Sequence, residues 1–391
     1  MNQPAVLQTK LTPELRLSGY FLTQFLSGGA ATVFAGIWFT SKGLTTDQIG
    51  LLNSVPIMVL LCINLFVGRL ADKASDWKQV ITIGALLSAI FPFGLFYVNN
   101  FGGILLFWSL ATIAQAAIVP VADAAAMRMT RRRGSDFGAV RGWGTIGFML
   151  ALFATGYLIT WFGNDFFLPL FAGLCVLRGL ASMGLPKLRA AKDVHAKPEG
   201  ATRLLHVMKP WFLLPLFGWS MVFATHLILN GFQSLLWQKQ GIPTNIIGIL
   251  IALGALSEAV MLFGFKRFSG KVSARKMILL SCVVSVLRWV AMAFSPSVPF
   301  LFALQTLHSI TFALGFLGCM NFITNWTSED IAAEAQSFFV ILQQVTAIVA
   351  ISGFGYLAGI YGAKAYLASA VFAAVGAVLV YVSLKMQQPK S

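Results

Sequence analysis

Charge is what this sequence has least of. Of its 391 residues, 28 are Lys or Arg and 13 are Asp or Glu, 10% in all, against roughly a quarter in soluble domains. With 58% of the residues hydrophobic, too little polar surface remains to cover a soluble globule, and the membrane class follows. Cysteine is also scarce. Cys62, Cys175, Cys282 and Cys319 lie singly within apolar runs, which excludes a CxxC metal site and an external disulfide framework. No GxxxxGK(S/T) loop and no metal-ligand cluster occurs, and no polar stretch is long enough to hold a soluble catalytic domain. An ATP-driven pump or other enzyme is therefore disfavoured, and no cofactor is expected. No cleavable signal peptide is expected either. The first sixteen residues are polar, with Lys10, Glu14 and Arg16, and the first apolar run is long enough to span and stay.

What is abundant is apolar runs of membrane length. They fall at about 17–41, 48–70, 79–98, 101–127, 138–162 and 165–185, and resume at about 211–237, 245–265, 276–294, 298–325, 332–359 and 363–384. Each is near or above the roughly 20 residues that a helix needs to cross about 30 Å of hydrocarbon. In lipid the backbone must satisfy its own hydrogen bonds, so these runs read as helices. The expected fold is an all-α integral membrane protein of twelve transmembrane helices in two pseudo-symmetric six-helix bundles. The tails are 1–16 and 386–391, the bundles 17–185 and 211–385, and a central loop spans 186–210.

The net charge of +15 is explained by topology rather than nucleic acid. Twenty-two of the 28 basic residues fall in the tails and on one set of loops. Three (Lys42, Lys239, Lys364) fall on the other face, and three (Arg141, Arg178, Arg288) lie within helices. The positive-inside rule then places both termini in the cytoplasm and the chain in the inner (plasma) membrane. One loop on the basic side dissents: residues 326–334 carry Glu329, Asp330 and Glu334 and no base.

The halves look related. GLTTDQIG, Gly43 to Gly50, reappears as GIPTNIIG, Gly241 to Gly248, an offset of 198. That offset also pairs Arg69 with Arg267, Lys78 with Lys276, and Asp123 with Asn321. An internal repeat of two six-helix units is a transporter plan with the substrate between the halves.

Five ionisable residues interrupt the apolar runs: Asp123, Arg141, Glu258, Arg288 and His308. A charge at the bilayer centre costs about 2.5–3.5 kcal/mol on insertion scales, so it needs a partner or a task. Helix arithmetic puts Arg288 and His308 each roughly 15 Å from the loop at 295–299, with Glu258 at the same depth on the preceding helix. An acid, a base and an imidazole on one level suit proton handling, since a carboxylate that exchanges an Arg partner for a proton has its affinity switched by conformation. The plainer alternative is a static ion pair. Asp123 and Arg141 flank the loop at 131–136 and can face one another across a hairpin. There the planar fork of Arg141 suits a carboxylate or vicinal hydroxyls, unless Arg141 merely snorkels outward. His226 and Asn230 are candidates to line a cavity, and Arg178 is expected to snorkel toward the cytoplasm. In GRLADK, Gly68 allows close packing, Arg69 holds the cytoplasmic face, and Asp72 can cap the following helix or pair with bases. Such a cluster reads as a gating latch or as ordinary basic-side decoration.

With these features on the page, the chain resembles the major facilitator superfamily over nearly its whole length, through the six-plus-six layout and GRLADK. Within it the phenylpropionate permease group is most similar, through VLRW (286–289), LHSITF (307–312) and His226 eleven residues before Trp237. The lactose permease type is a more distant likeness. Its acid and Arg eighteen residues apart resemble Asp123 and Arg141, and its later acid, Arg and His resemble Glu258, Arg288 and His308. The aromatic platform seven residues past the Arg is Phe148 here, and its coupling Glu is replaced by Thr311. The resemblance implies a permease, acting as a monomer, that imports a small aromatic carboxylate with protons, the proton gradient being the driving force. Asp123, Arg141, Phe148, His226 and Asn230 would hold substrate, and Glu258, Arg288 and His308 would couple protons. A sugar or nucleoside:proton symporter fits the same residues, and a non-transporting membrane sensor or assembly protein is the alternative of another class.

Overall fold

The computed structural model describes residues 11–189, 201–228, 233–267 and 270–386. In the first half of the chain the helices are α1 (Pro13–Ser41), α2 (Thr46–Lys73), α3 (Trp77–Gly94), α4 (Phe101–Ala117), α5 (Val119–Arg133), α6 (Phe137–Phe162) and α7 (Phe167–Met183). A short α8 (Leu204–Val207) leads to α9 (Pro210–Ile228) and α10 (Ser234–Lys239), then α11 (Thr244–Gly264) and α12 (Ala274–Ala293). Next come α13 (Val298–Thr306), α14 (Gly315–Trp326), α15 (Ala332–Tyr361) and α16 (Tyr366–Lys385). Helix therefore occupies each of the twelve apolar runs, the seventh being described only on either side of 229–232. Among the described residues nine helical stretches are long and apolar enough to cross a membrane, or ten if the bent pair Pro13–Thr32 and Phe34–Ser41 is one span. One of them, running from Glu329 to Lys385, holds both α15 and α16, hinged at Gly362 with φ 57°.

The helix starts are written in the sequence. Thr12 caps α1 ahead of Pro13, and Thr45 and Gln48 exchange a capping box at α2. Asp76, Asn100 and Asp136 cap α3, α4 and α6. The fourth run breaks at Ile118, where Pro120 has no N–H to continue the ladder. The repeated turns match in detail. Gly43 and Gly241 both have φ 78°, and their amides donate to the carbonyls of Thr40 and Gln238, three residues back in each case.

The packing is inverted relative to a soluble protein. Phe66, Tyr97, Val260, Leu287 and Tyr356 point outward, while Asn64, Asp72, Arg178, Arg288 and Gln305 are buried. A lipid surround accounts for both facts. In the first half α1 lies on α6 and α7, and α3 on α4 and α7. In the second, α9 lies on α15 and α16, and α12 on α14 and α16. The halves meet where α2 packs on α15, α6 on α11, and α5 on α14 and α15.

Trp219 is fully buried in the second half, its indole N–H donating to Ser281 Oγ at 3.2 Å. It is seated on Gly315, where a Cβ would lie 1.8 Å from Trp219 Nε1 and 2.4 Å from Ser281 Oγ. Gly315→Ala is therefore expected to overpack this core by about 1–3 kcal/mol, read as a lowered Tm of the purified protein.

Candidate functional site

The π-helical turn Ser309–Leu314 between α13 and α14 is the local feature that builds the second half's polar centre. Such wide turns alter which side chains share a face. Here Gln305, His308 and Thr311 all reach one guanidinium, that of Arg288 on α12, which is completely buried. Arg288 donates to Gln305 Oε1 at 2.6 Å and to Thr311 Oγ1 at 3.0 Å, and an Nη lies 3.3 Å from His308 Nδ1. Its guanidinium also lies 4.9 Å from the Trp289 ring centroid.

Donor and acceptor roles follow from these contacts. Arg288 can only donate, so His308 Nδ1 accepts and Nε2 carries the proton toward Glu258 Oε2, 3.3 Å away. Glu258 Oε1 accepts a second bond, 2.9 Å, from the Thr145 hydroxyl of α6 in the first half. His226 Nδ1 lies 2.8 Å from the Val222 carbonyl, which can only accept, so His226 Nε2 is an acceptor. The Thr311 hydroxyl, 2.9 Å away, donates to it. The result is a chain from His226 through Thr311, Arg288 and His308 to Glu258. His226 is 4% exposed, whereas the Glu258 and His308 side chains are 18% and 16% exposed. The accessible end of the chain is Glu258. His308 is stacked on Phe312 at 5.1 Å and 6°.

In the first half, Arg141 Nε donates to Asp123 Oδ1 at 3.2 Å, joining α6 to α5. The guanidinium sits among three rings: Phe25 at 4.1 Å, Phe21 at 5.4 Å and, from the second half, Phe316 at 5.6 Å. Phe316 also meets Phe137 at 6.4 Å. Phe137 lines a cavity of about 350 Å³ on the face that carries the basic loops, together with Arg131, Asp136, Lys266, Asn321 and Asn325.

That basic face is tied across the halves. Both carboxylate oxygens of Asp72 accept backbone N–H bonds at the start of α15, from Ala333 at 3.0 Å and Glu334 at 2.8 Å. Arg69 Nε pairs with Glu334 at 2.6 Å. At Gly68 a Cβ would lie 2.8 Å from the Ala333 carbonyl, so the two backbones approach closely there. Arg132 pairs with Glu329, Arg189 bridges the end of α2 to the Glu329 carbonyl, and Arg128 donates to Thr327. The acid-only loop at 326–334 thus answers arginines of the first half. At the opposite face the described polar contacts stay within a half: Lys42 with Asp165 at 3.0 Å and Gln240 with Ser295 at 3.2 Å.

Several placements differ from expectation. Arg178 does not snorkel. It is completely buried and donates to Ser27 and Ser88, because hydroxyls on α1 and α3 satisfy it locally. Asp72 does not cap the following helix: Asp76 does, and Asp72 caps α15 instead, while accepting from the Trp77 indole at 3.0 Å. Arg288 and Glu258 are not paired directly, since His308 stands between them. Both nitrogens of His226 are committed inside the core, and Phe148 is half-buried against Gly29 of α1. Asn230 lies outside the described residues. Thr145, Gln305 and the bridging position of Thr311 were not anticipated. Their signals are slight: Thr145 stands one helical turn after Arg141, and Gln305 one turn before His308.

Buried polar groups linking two helical halves, closed together at one face, define a polytopic membrane transporter rather than an enzyme. The sequence profile of the MFS_1 like family matches residues 14–374, and the chain belongs to that family. It is 28% identical over 343 residues to the probable 3-phenylpropionic acid transporter of Escherichia coli, covering 86% of each protein. It is 24% identical to the maltose permease of Geobacillus stearothermophilus, covering 82% of this chain and 81% of that one. Among solved structures, the fucose:proton symporter FucP of Escherichia coli superposes with a TM-score of 0.72 at 13% identity, covering 96% of this chain and 99% of that one.

Thr311→Val keeps the shape of the side chain but leaves His226 Nε2 without its donor and Arg288 without an acceptor. The expected cost is about 1–3 kcal/mol, seen as a lower Tm, with Thr311→Ser restoring it.

Proposed function

We propose that this transporter imports a small aromatic carboxylate together with a proton across the inner (plasma) membrane, with both termini cytoplasmic. The observation that carries the reading is Glu258: a partly accessible carboxylate hydrogen-bonded at once by His308 of its own half and Thr145 of the other. When ionised, a carboxylate so placed accepts from both donors and ties the two halves. It becomes neutral when a proton replaces them, which changes how strongly the halves hold together.

Substrate recognition falls to Arg141. An incoming carboxylate competes with Asp123 for the guanidinium, and the rings of Phe25, Phe316 and Phe21 supply an apolar surround for an aromatic body. The likeness to the 3-phenylpropionic acid transporter supports this class. One carboxylate with one proton carries no net charge, so the pH gradient alone would drive uptake. In the proposed cycle the Asp72 clamp, with Gly68 and Arg69, holds the cytoplasmic side shut. Rocking of the bundles 17–185 and 211–385 then exposes the site alternately. A second reading, sugar:proton symport, is favoured by the paired Asp123 and Arg141, which can bind vicinal hydroxyls, and by the maltose permease relative.

The test is a pH electrode in a lightly buffered suspension of de-energised cells. Adding 3-phenylpropionate is expected to make the medium alkaline, and Glu258→Gln is expected to abolish that signal. Alkalinisation by maltose but not by 3-phenylpropionate would replace the first reading with the second. Solute entry with no pH change would make the protein a facilitator.

A further inference from the structure

In this chain the helical threonines usually return their hydroxyl proton to their own helix. Thr32, Thr40, Thr112, Thr130 and Thr160 donate to the carbonyls of Gly28, Gly36, Trp108, Ala126 and Gly156, four residues back, at 2.8–2.9 Å. Thr145 does otherwise. Nearly buried on α6, it sends its proton across the seam between the halves to Glu258 Oε1 at 2.9 Å. The residue four back from it is Arg141.

The seam beneath this contact is unusually close. At Gly138 a Cβ would come within 2.2 Å of the Leu262 carbonyl, and at Gly142 within 3.0 Å of the Phe263 ring, both of α11. Gly138, Gly142 and Thr145 follow one face of α6, so Thr145 caps a row of small residues that lets α11 approach. The hydroxyl is thus held within reach of the Glu258 carboxylate.

We propose that Thr145 is a positioning residue that ties the protonation of Glu258 to the helix carrying Arg141. The inference rests on the proton-coupling role of Glu258 proposed above. With Glu258 ionised, Thr145 donates to it, and α6 and α11 are joined at this level. When Glu258 takes a proton its oxygens attract the hydroxyl less. Thr145 can then turn its proton to the Arg141 carbonyl, as its fellow threonines do, and the seam loosens beside the Asp123–Arg141 pair. The ionisable groups that face Glu258 are His308, just ahead of the π-helical turn, and, through it, Arg288 of α12. From the first half, Arg141 stands one turn before Thr145 on α6 and is paired there with Asp123 of α5.

The experiment is infrared difference spectroscopy of the purified, lipid-reconstituted full chain as a function of pH. The carbonyl band of protonated Glu258 is the one lost in Glu258→Gln. Thr145→Val keeps the shape and removes the donor, so the protonated band is expected to persist to higher pH, its midpoint moving up by about one pH unit. Thr145→Ala is expected to move it the same way, and Thr145→Ser to return it toward the wild-type position. A merely structural Thr145 would lower yield or Tm and leave the midpoint in place. Equal midpoints in wild type, Thr145→Val and Thr145→Ala would overturn the assignment. The band reports on Thr145 whether or not protons accompany the solute. If the midpoint shifts but wild-type cells show no solute-driven alkalinisation, the coupling reading fails and the Thr145–Glu258 bond stands.

Discussion

The arrangement depends first on one carboxylate. Asp72 ends α2 in the first half, and its two oxygens take the backbone N–H groups of Ala333 and Glu334 at the start of α15 in the second. The first N–H groups of a helix have no partner within it and carry the positive end of its dipole, so a buried carboxylate there is stabilising for both. Gly68, one turn earlier, lets the backbones come close enough. Arg69, Arg132 and Arg189 then find Glu334, Glu329 and Asp330 within reach. Those surface pairs are individually weak, and the clamp beneath them sets the register in which they form.

Deeper in the bilayer a second constraint operates. A buried guanidinium needs acceptors, and Arg178 and Arg288 find theirs differently, each through its Nη groups. Arg178 takes hydroxyls from two neighbouring helices and holds the first half together. Arg288 takes Gln305, Thr311 and His308 from the one run that carries the π-helical turn. Through His308 the Arg288 network reaches Glu258, and through Glu258 it reaches α6 of the other half. Closure at one face and the polar centre are thus two stations along one interface between the halves, linked by α6 packed on α11 and α2 packed on α15.

The helical layout was legible because the lipid requirement is severe: runs of about 20 apolar residues have few other fates. The repeat at Gly43 and Gly241 was legible too, because a tight turn with positive φ leaves a glycine in both copies. The meeting of Asp123 with Arg141, and of Arg288 with His308, followed from counting residues along antiparallel helices. What could not be read was rotation about the helix axes. Whether Arg178 faces lipid headgroups or the core, and whether Asp72 looks to its own next helix or to α15, is decided by packing partners distant in sequence. Thr145 and the bridging role of Thr311 could not be read because a threonine in an apolar helix carries no signal until its acceptor is known.

The most direct test of this account is the distance across the basic face. Spin labels at Lys187, held against the first bundle by the Leu188 N–H bonds to Asp76, and at Lys276 of α12 in the second, both exposed, in a cysteine-free background, would be measured by pulsed electron resonance in wild type and in Asp72→Asn. A single short distance is expected for the wild type. Neutralising the carboxylate weakens both bonds to α15, by about 1–3 kcal/mol together, so a longer component should appear and grow in the variant. Identical distance distributions in the two proteins would contradict the view that Asp72 holds the halves closed.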